Sequence, residues 1–543
     1  MLKLYKRELS KSSYKLVSFI TIISLLVALF EFVSPLLIKY FIDNFKTSHL
    51  LIPLLIIVIS YLLYYIFKII LSKVTNFYSV IFKTKEHNRL FNLMFHMKYD
   101  KLNSLEPTYL VERITNSVNT LFSLYSEAIP SFVISSFSIS LSILLILFVD
   151  KLLALLLIVM VPLNILSYKS LNKKLSNMCV NLQRVCANNF MKIISVTSQV
   201  DYIKQSSDTS LISNILEPFI TKIHKENAKV NKFSKFVSIS ISDIINIIHN
   251  GVYVYAATAL LLKNISLSDF IFINLIISIY FPALNKIVQS NINLRDLKGI
   301  YAFISSEIID NMEEDGNLKL EKIMKIEYKI ENLAYGNNIL IKNGNFIVEP
   351  GDIVKVNGES GSGKTTLMKG LVKFMSMNIS INDIPISNYT NESIRNKISF
   401  FSQNIPIISG TIKDNILMGK TMNEDILELL NDKPFLKKFF TLNKGLETEV
   451  LENGSNLSGG DKQKIALARL YIEYPEVIIL DEMTNSIDEI TSCNIINSII
   501  KEYKDKIIFI ISHDNNTTKF CNKILNIEEK KLQYSTKNTL NIL

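Results

Sequence analysis

Over the first 290 or so positions the apolar residues are gathered into long unbroken blocks, not alternated with polar ones. The blocks run over Leu16–Ile42, Leu50–Leu71, Ser131–Val149, Leu152–Tyr168, Val237–Leu262 and Phe270–Ile287. A helix needs about 20 apolar residues to cross the hydrocarbon core, and these lengths suffice with some tilt, the fourth being the shortest. The pattern predicts a membrane α-helical bundle of six spans over residues 1–300. The first block is too long for a signal-peptide core and no small-residue cleavage site closes it, so it reads as a retained span. Lys3, Lys6, Arg7, Lys11 and Lys15 precede it and place the N-terminus in the cytoplasm.

Spacing adds more than number. Asp43–His49, Asp150–Lys151 and Lys263–Asp269 are very short connections, whereas spans 2–3 and 4–5 are separated by long segments rich in Lys, Arg, Asn and Gln. The simplest reading is spans that continue as long cytoplasmic helical extensions and turn at their lowest points. Leu105-Glu106-Pro107 marks one turn, and Thr197–Gln205 is placed as the other. Glu31, Asp243 and His249 fall within or beside spans, either as a polar lining of a transport path or as packing and boundary residues.

After a connector at 301–324, loosest around Glu313-Glu314-Asp315-Gly316-Asn317, residues 325–543 read as mixed α/β sequence. Strands are expected at Ile326–Ile330, Asn345–Val348 and Ile353–Val356. Next comes Gly358-Glu359-Ser360-Gly361-Ser362-Gly363-Lys364-Thr365-Thr366, which fits G-x-x-x-x-G-K-[ST] at every fixed position. Glycines let backbone N–H groups curl around phosphate oxygens, and the helix starting near Lys364 adds the positive end of its dipole. Lys364 supplies a cation for the outer phosphates and Thr365 a hydroxyl for Mg²⁺.

Other candidates follow in order. Tyr335 is an aromatic that could stack on an adenine ring or be an ordinary strand-end Tyr. Gln403 could offer its amide oxygen to Mg²⁺ or a water. Ser458-Gly459-Gly460 opens a second helix N-terminus able to take a phosphate contact, or is a plain Ser/Gly cap. Val477–Glu482 is a buried parallel strand ending in two carboxylates. Asp481 suits Mg²⁺ through water, and Glu482 could polarise an attacking water. Ile507–His513 repeats the form and delivers His513, which could sense a terminal phosphate. Polar residues at strand ends sit where α/β sheets bind ligands.

Charge and cysteine then narrow the picture. The net charge of +10 is dispersed, much of it between apolar blocks, which fits positive-inside bias and not a nucleic-acid groove. The cysteines Cys179, Cys186, Cys493 and Cys521 have no metal spacing, and nothing in them suggests disulfides, so a reducing compartment is expected.

In these residues the chain resembles the ABC transporter superfamily, specifically the exporter class in which six spans are fused to one nucleotide-binding domain. The resemblance covers essentially the whole chain. Its motifs are matched by Tyr335 (adenine stacking), Gly358–Thr366 (phosphate loop), Gln403 (glutamine loop), Leu457-Ser458-Gly459-Gly460-Asp461 (signature), Asp481 and Glu482 (acidic strand), Asn485-Ser486-Ile487-Asp488 (the turn after it) and His513 (switch histidine). Glu452 resembles the exporters' contact loop to the membrane helices. Departures are Asp461 for Gln, Asn485 for Ser, and Lys192 where Glu is common. The resemblance implies a multi-pass protein of the cell membrane with its nucleotide-binding domain cytoplasmic, using ATP and Mg²⁺, and Glu482 and His513 as catalytic residues. Because each chain carries one phosphate loop and one signature, it also implies a dimer with a second copy or a sibling half-transporter. The expected function is ATP-driven export across the lipid bilayer of a substrate such as a peptide or other amphipathic compound; the alternative is a membrane-bound ATPase that gates or senses. No Cys/His protease segment precedes the first span in this sequence, so leader cleavage is not expected.

Overall fold

The computed structural model describes residues 11–44, 51–105, 107–205, 209–335, 338–402, 405–483, 489–512 and 515–536. The chain divides into two compact units: Met1–Met97 with Lys101–Met312, and Lys98–Asp100 with Glu313–Leu543.

The first unit is helical. The helices of residues 11–302 are α1 (Lys11–Asp43), α2 (Leu51–Phe95), α3 (Tyr99–Ser104, its first two residues counted with the second unit), α4 (Pro107–Ser123), α5 (Ile129–Leu147), α6 (Lys151–Thr197), α7 (Val200–Gln205), α8 (Thr209–Leu261) and α9 (Leu267–Ala302). A turn of π-helix, Leu124–Ala128, joins α4 to α5, so the third expected span is the far end of a much longer helix. Helices α2, α6 and α8 are 45, 47 and 53 residues long, far beyond the bilayer's requirement, as the long extensions demand. One helix ends at Ser104 and the next begins at Pro107; another ends at Thr197, with the short α7 after it.

Among the described residues five helical stretches are long and apolar enough to cross a membrane: Val17–Asp43, Leu54–Phe95, Pro107–Leu147, Asp243–Leu261 and Leu267–Ile287. The expected fourth span begins as the shorter apolar stretch Lys151–Pro162 within α6; the side chains of 163–170 lie outside the described residues.

Polarity in this unit is inverted relative to a protein in water. Within Leu54–Phe95 an 18-residue stretch has a mean hydropathy of 2.5, yet only 6% of that stretch is buried within the chain, which leaves its apolar face for lipid. Ser24, Ser60, Ser135, Ser138 and Ser142 are buried instead. Between helices the contact is close-packed: Ile273, Ile276, Ile277, Tyr280 and Leu284 of α9 pack with Leu153 and Leu157 of α6. The Tyr280 hydroxyl donates to the Leu157 carbonyl at 2.8 Å, which satisfies the phenol in an apolar setting. Aspartates set the short turns. Asp150 accepts the N–H groups of Leu152 and Leu153 at the start of α6 and the Tyr255 hydroxyl at 2.9 Å. Asp269 forms a capping box with Ser266 and an ion pair with Lys39 at 2.6 Å. Asp43 accepts the Ser268 hydroxyl.

The residues flagged inside the spans find ordinary settings in two cases. Asp243 is exposed at the start of the Asp243–Leu261 window. His249 packs edge-on against the rings of Tyr253 and Phe281, at 4.5 and 4.8 Å between centroids. Lys192 lies 5.2 Å from the Phe219 ring centroid, a cation–π contact in place of a carboxylate's ion pairs.

In the second unit the strands are β1 (Ile326–Tyr335), β2 (Asn338–Val348), β3 (Ile353–Gly358), β4 (Ile379–Ile381), β5 (Ile384–Pro385), β6 (Ile398–Phe401), β7 (Gly410–Thr411), β8 (Glu449–Val450), β9 (Val477–Asp481), β10 (Ile507–Ile511), β11 (Lys523–Glu528) and β12 (Lys531–Thr536). One sheet runs β2-β1-β4-β5 and is antiparallel; another runs β12-β11-β3-β10-β9-β6 and is parallel but for its β12 edge. Continuous apolar runs make β9 and β10 the inner strands, every residue buried, because helices cover both faces of a parallel sheet. Phe509 sits fully buried at the middle of β10. Phe509→Ala is expected to cost about 3–5 kcal/mol through the cavity it leaves. The check is a thermal-denaturation midpoint for the nucleotide unit several degrees below wild type, with the helical signal of the membrane unit unchanged.

Candidate nucleotide site

Register decides what meets at the sheet edge. Ile511 of β10 lies beside Val356 of β3 on one side and Asp481 of β9 on the other. All three strands run parallel, so the loop after β3, the segment after β10 and the carboxylates of β9 leave the same carboxyl edge.

The loop after β3 leads into α10 (Lys364–Leu371). Gly358 and Gly363 have φ of +152° and +101°, where a side chain is strained. A Cβ on Gly358 would lie 2.6 Å from Ser362 Oγ and 2.9 Å from the Ile527 carbonyl oxygen, so the loop closes only without one. Lys364 is buried and folds back, its Nζ donating to the carbonyl oxygens of Gly358 and Glu359 at 2.7 and 2.9 Å. Burial pulls its pKa down, and the nearby Glu482 and Asp481 carboxylates oppose that. The buried Ser362 hydroxyl has no partner among the described residues. An orphaned hydroxyl, a loop held open by glycines and a cation at its centre form a cradle that fits a phosphate chain.

Thr365, the next residue, donates its hydroxyl to Asp481 Oδ2 at 2.6 Å. Burial raises the Asp481 pKa; the Thr365 bond lowers it, and Glu482 beside it raises it further. A hydroxyl and a carboxylate in contact at the foot of the cradle are oxygen donors of the kind Mg²⁺ takes. Glu482 has a left-handed backbone, φ +51°, and its N–H donates to the Ile511 carbonyl at 2.9 Å. That bend ends β9. The strain fits the tendency of functional positions to hold sparsely populated dihedrals.

The signature segment opens α11 (Gly459–Glu473), with Ser458 as its N-cap. Asp461, the departure from the family pattern, is buried. Its carboxylate is held by Lys438 Nζ at 2.8 and 3.0 Å and by the Ser458 hydroxyl at 2.7 Å, with Lys464 at 3.9 Å. Burial works against the charged form, but the bonds from Lys438 and Ser458 outweigh it and hold the carboxyl below its ordinary value. Lys438 carries no mark in the sequence. It lies on the helical turn Lys437–Phe440 and meets Asp461 only through the fold. Gln463 is equally unmarked: its amide donates to the Met483 carbonyl and ties α11 to the segment after Glu482.

Of the remaining candidates, Gln403, Asp488 and His513 lie outside the described residues, as do Asn485 and the side chain of Tyr335. Glu359, Ser360, Gly361 and Thr366 belong to the loop and the start of α10, and Gly459 and Gly460 form the first turn of α11.

Fold and site together define a membrane-embedded P-loop protein. Family models agree on both halves: ABC transporter over residues 341–485, and ABC transporter transmembrane region over residues 17–284. The chain belongs to the ABC transporter family, with an α/β P-loop domain after its helical bundle. It is 28% identical over 348 residues to a probable ABC transporter ATP-binding/permease protein of Haemophilus influenzae, covering 61% of this chain and 60% of that one. It is 34% identical over 229 residues to the ATP-dependent lipid A-core flippase of Legionella pneumophila, covering 40% and 38%. Among solved structures it matches a bacterial Atm1-family ABC exporter with ATP bound, at TM-score 0.86 and 17% identity, over 97% of this chain and 96% of that one. The match to the first relative thus spans less than two thirds of that protein.

The ion pair at the signature generates a prediction. Lys438 is half-exposed, so screening limits the pair to about 0.5–1 kcal/mol. Lys438→Met should lose that much stability at pH 7, and the same substitution in an Asp461→Asn background should lose nothing. Because the folded pKa of Asp461 is depressed, its contribution is full above the unfolded value near 3.9 and fades as pH falls through the folded value. A double-mutant cycle of thermal midpoints at pH 7 checks this; equal losses in both backgrounds would exclude the coupling.

Proposed function

We propose that this chain is one half of an ATP-driven exporter of the cell membrane, paired with a second copy or a sibling half, with its N-terminus and nucleotide-binding domain (325–543, after a 301–324 linker) in the cytoplasm. The Thr365–Asp481 contact carries the reading, because it sets the phosphate cradle against the acidic end of β9.

In this reading ATP lies in the cradle of Gly358–Thr366, its outer phosphates taking Lys364 from the carbonyl oxygens of Gly358 and Glu359. Tyr335 stacks on the adenine. Mg²⁺, when bound, neutralises charge on the outer phosphates. Thr365 would supply its hydroxyl to that ion, Asp481 its carboxylate and Gln403 its amide oxygen. Glu482 orients the attacking water and His513 contacts the terminal phosphate. Ser458, Gly459 and Gly460 of the partner chain close on the nucleotide from the other side, with Asp488 beside the dimer contact. Positioning and charge stabilisation account for most of such catalysis. The flippase likeness supports an amphipathic cargo.

Glu482→Gln should abolish turnover while ATP binding persists, since the cradle stays intact; steady hydrolysis within about twofold of wild type would remove Glu482 from this role. Lys364→Ala should weaken ATP binding itself by at least about tenfold, read by equilibrium binding of a labelled ATP analogue. The reading as a whole is tested in inverted membrane vesicles. ATP-dependent accumulation of a fluorescent lipopeptide or acyl probe, absent in Glu482→Gln vesicles, is expected. Hydrolysis with no accumulation of any such probe would favour a gating or sensing ATPase.

A further inference from the structure

A cavity of about 480 Å³ opens among α1, α2, α5 and α9, within the usual range for small-molecule sites. Its charged lining residues are Glu31 on α1, Lys68 on α2 and Lys286 on α9. Tyr64 lines the same wall, and both lysines are close enough to attract the Glu31 carboxylate. Lys68 also sits 5.6 Å from the Tyr64 ring centroid. Two ammonium groups against one carboxylate leave the wall with one net positive charge.

A second observation comes from α5. A serine in a membrane helix ordinarily donates to the carbonyl one turn back. Ser136 and Ser140 do so, to Phe132 and Ser136 at 2.8 and 2.9 Å. Ser135, on the cavity wall, does not: it is 1% exposed and its hydroxyl has no partner among the described residues. Charged groups inside a span are costly unless they pair or face a polar cavity. Snorkelling of Lys68 and Lys286 toward the headgroups would relieve the lysines, but it explains neither Glu31 on the same wall nor the unused hydroxyl.

We propose that this cavity binds the anionic headgroup of an amphipathic molecule, a carboxylate or phosphate carried on an apolar tail. Lys286 and Lys68 are the counter-charges and Ser135 the neutral donor, while Leu275 and Ile279 offer apolar wall for the first carbons of the tail. Glu31 competes with the headgroup for the same lysines, so it weakens binding and tunes release. That the bound molecule is cargo rests on the exporter reading; that the cavity selects anions does not.

The test uses the full chain in phosphatidylcholine nanodiscs without nucleotide, and measures equilibrium binding of radiolabelled laurate, dodecyl phosphate and dodecyltrimethylammonium against empty nanodiscs. Saturable binding of laurate or dodecyl phosphate, and none of the cation, is expected; which anion binds tells carboxylate from phosphate cargo. Lys286→Gln should weaken it roughly tenfold, Lys286→Arg should retain it, and Glu31→Gln should tighten it several-fold. Opposite shifts from two neutralising substitutions on one cavity are not what misfolding produces. Equal binding of the cation, shifts of the same sign for Lys286→Gln and Glu31→Gln, or no saturable anion binding would overturn the proposal. If anions bind but vesicles accumulate nothing, the exporter reading fails and the cavity stands; uptake without anion selectivity gives the reverse.

Discussion

A single hydrogen bond, Thr365 to Asp481, joins two points 116 residues apart in the chain, and the nucleotide unit is arranged so that it can form. It requires β3 and β9 to be parallel, in register, and separated by one strand. β10 is that strand, fully apolar and fully buried, so the spacing is fixed by core packing and not by the polar groups themselves. The sequence cost of the site is therefore concentrated at strand ends, where Gly358 and Glu482 leave regular geometry. Both hold a positive φ. The sheet behind them is what keeps those conformations in place.

The membrane unit answers the same accounting question with a different solvent. Lipid makes no hydrogen bonds, so every helix satisfies its own backbone, and polar side chains either donate back to it or turn inward. The first kind of relief is seen at Thr75, Ser136 and Ser140, each bonded to a carbonyl of its own helix. Asp150 and Asp269 act where two spans turn, each capping one helix while accepting from a side chain of another. Those bonds make a short polar turn rigid without lengthening it.

What is legible in the sequence is what is local. The phosphate loop, the apolar strands ending in acids and the apolar blocks are each contiguous, and their chemistry follows from neighbours within a few residues. The third span outruns its apolar block because nothing in Leu124–Ala128 breaks the helix; a π turn carries the chain through. The strands β1 and β2 run longer than expected, since Asn332 and Lys342 pair across the ladder although neither is a strand former. Lys438 is illegible altogether. It is one lysine among many on a polar surface, and only the packing of its helical turn beside α11 selects it over Lys462 and Lys464, which the spacing favours. Lys462 instead donates to the Asn453 carbonyl at 2.8 Å, and Lys464 stays 3.9 Å away. The lining of the membrane cavity is half legible: Glu31 is marked by its position in a span, but its partners come from two other helices.

Asp461 shows how a departure from a family pattern can be electrostatically silent. An uncompensated carboxylate about 8 Å from an incoming phosphate would cost roughly 2 kcal/mol at an effective dielectric near 20. That would oppose closure of two chains on ATP. With Lys438 at 2.8 Å the field at that distance is that of a small dipole, and most of the penalty cancels. The remaining effect is geometric. Ser458 donates its hydroxyl to Asp461 while accepting the Asp461 N–H at 3.2 Å, so the cap that presents Gly459 and Gly460 is braced from both sides. A glutamine at that position can brace the cap without a partner, whereas aspartate needs the lysine. The substitution thus moves part of the signature's architecture onto Lys437–Phe440, and the two positions are read as one unit.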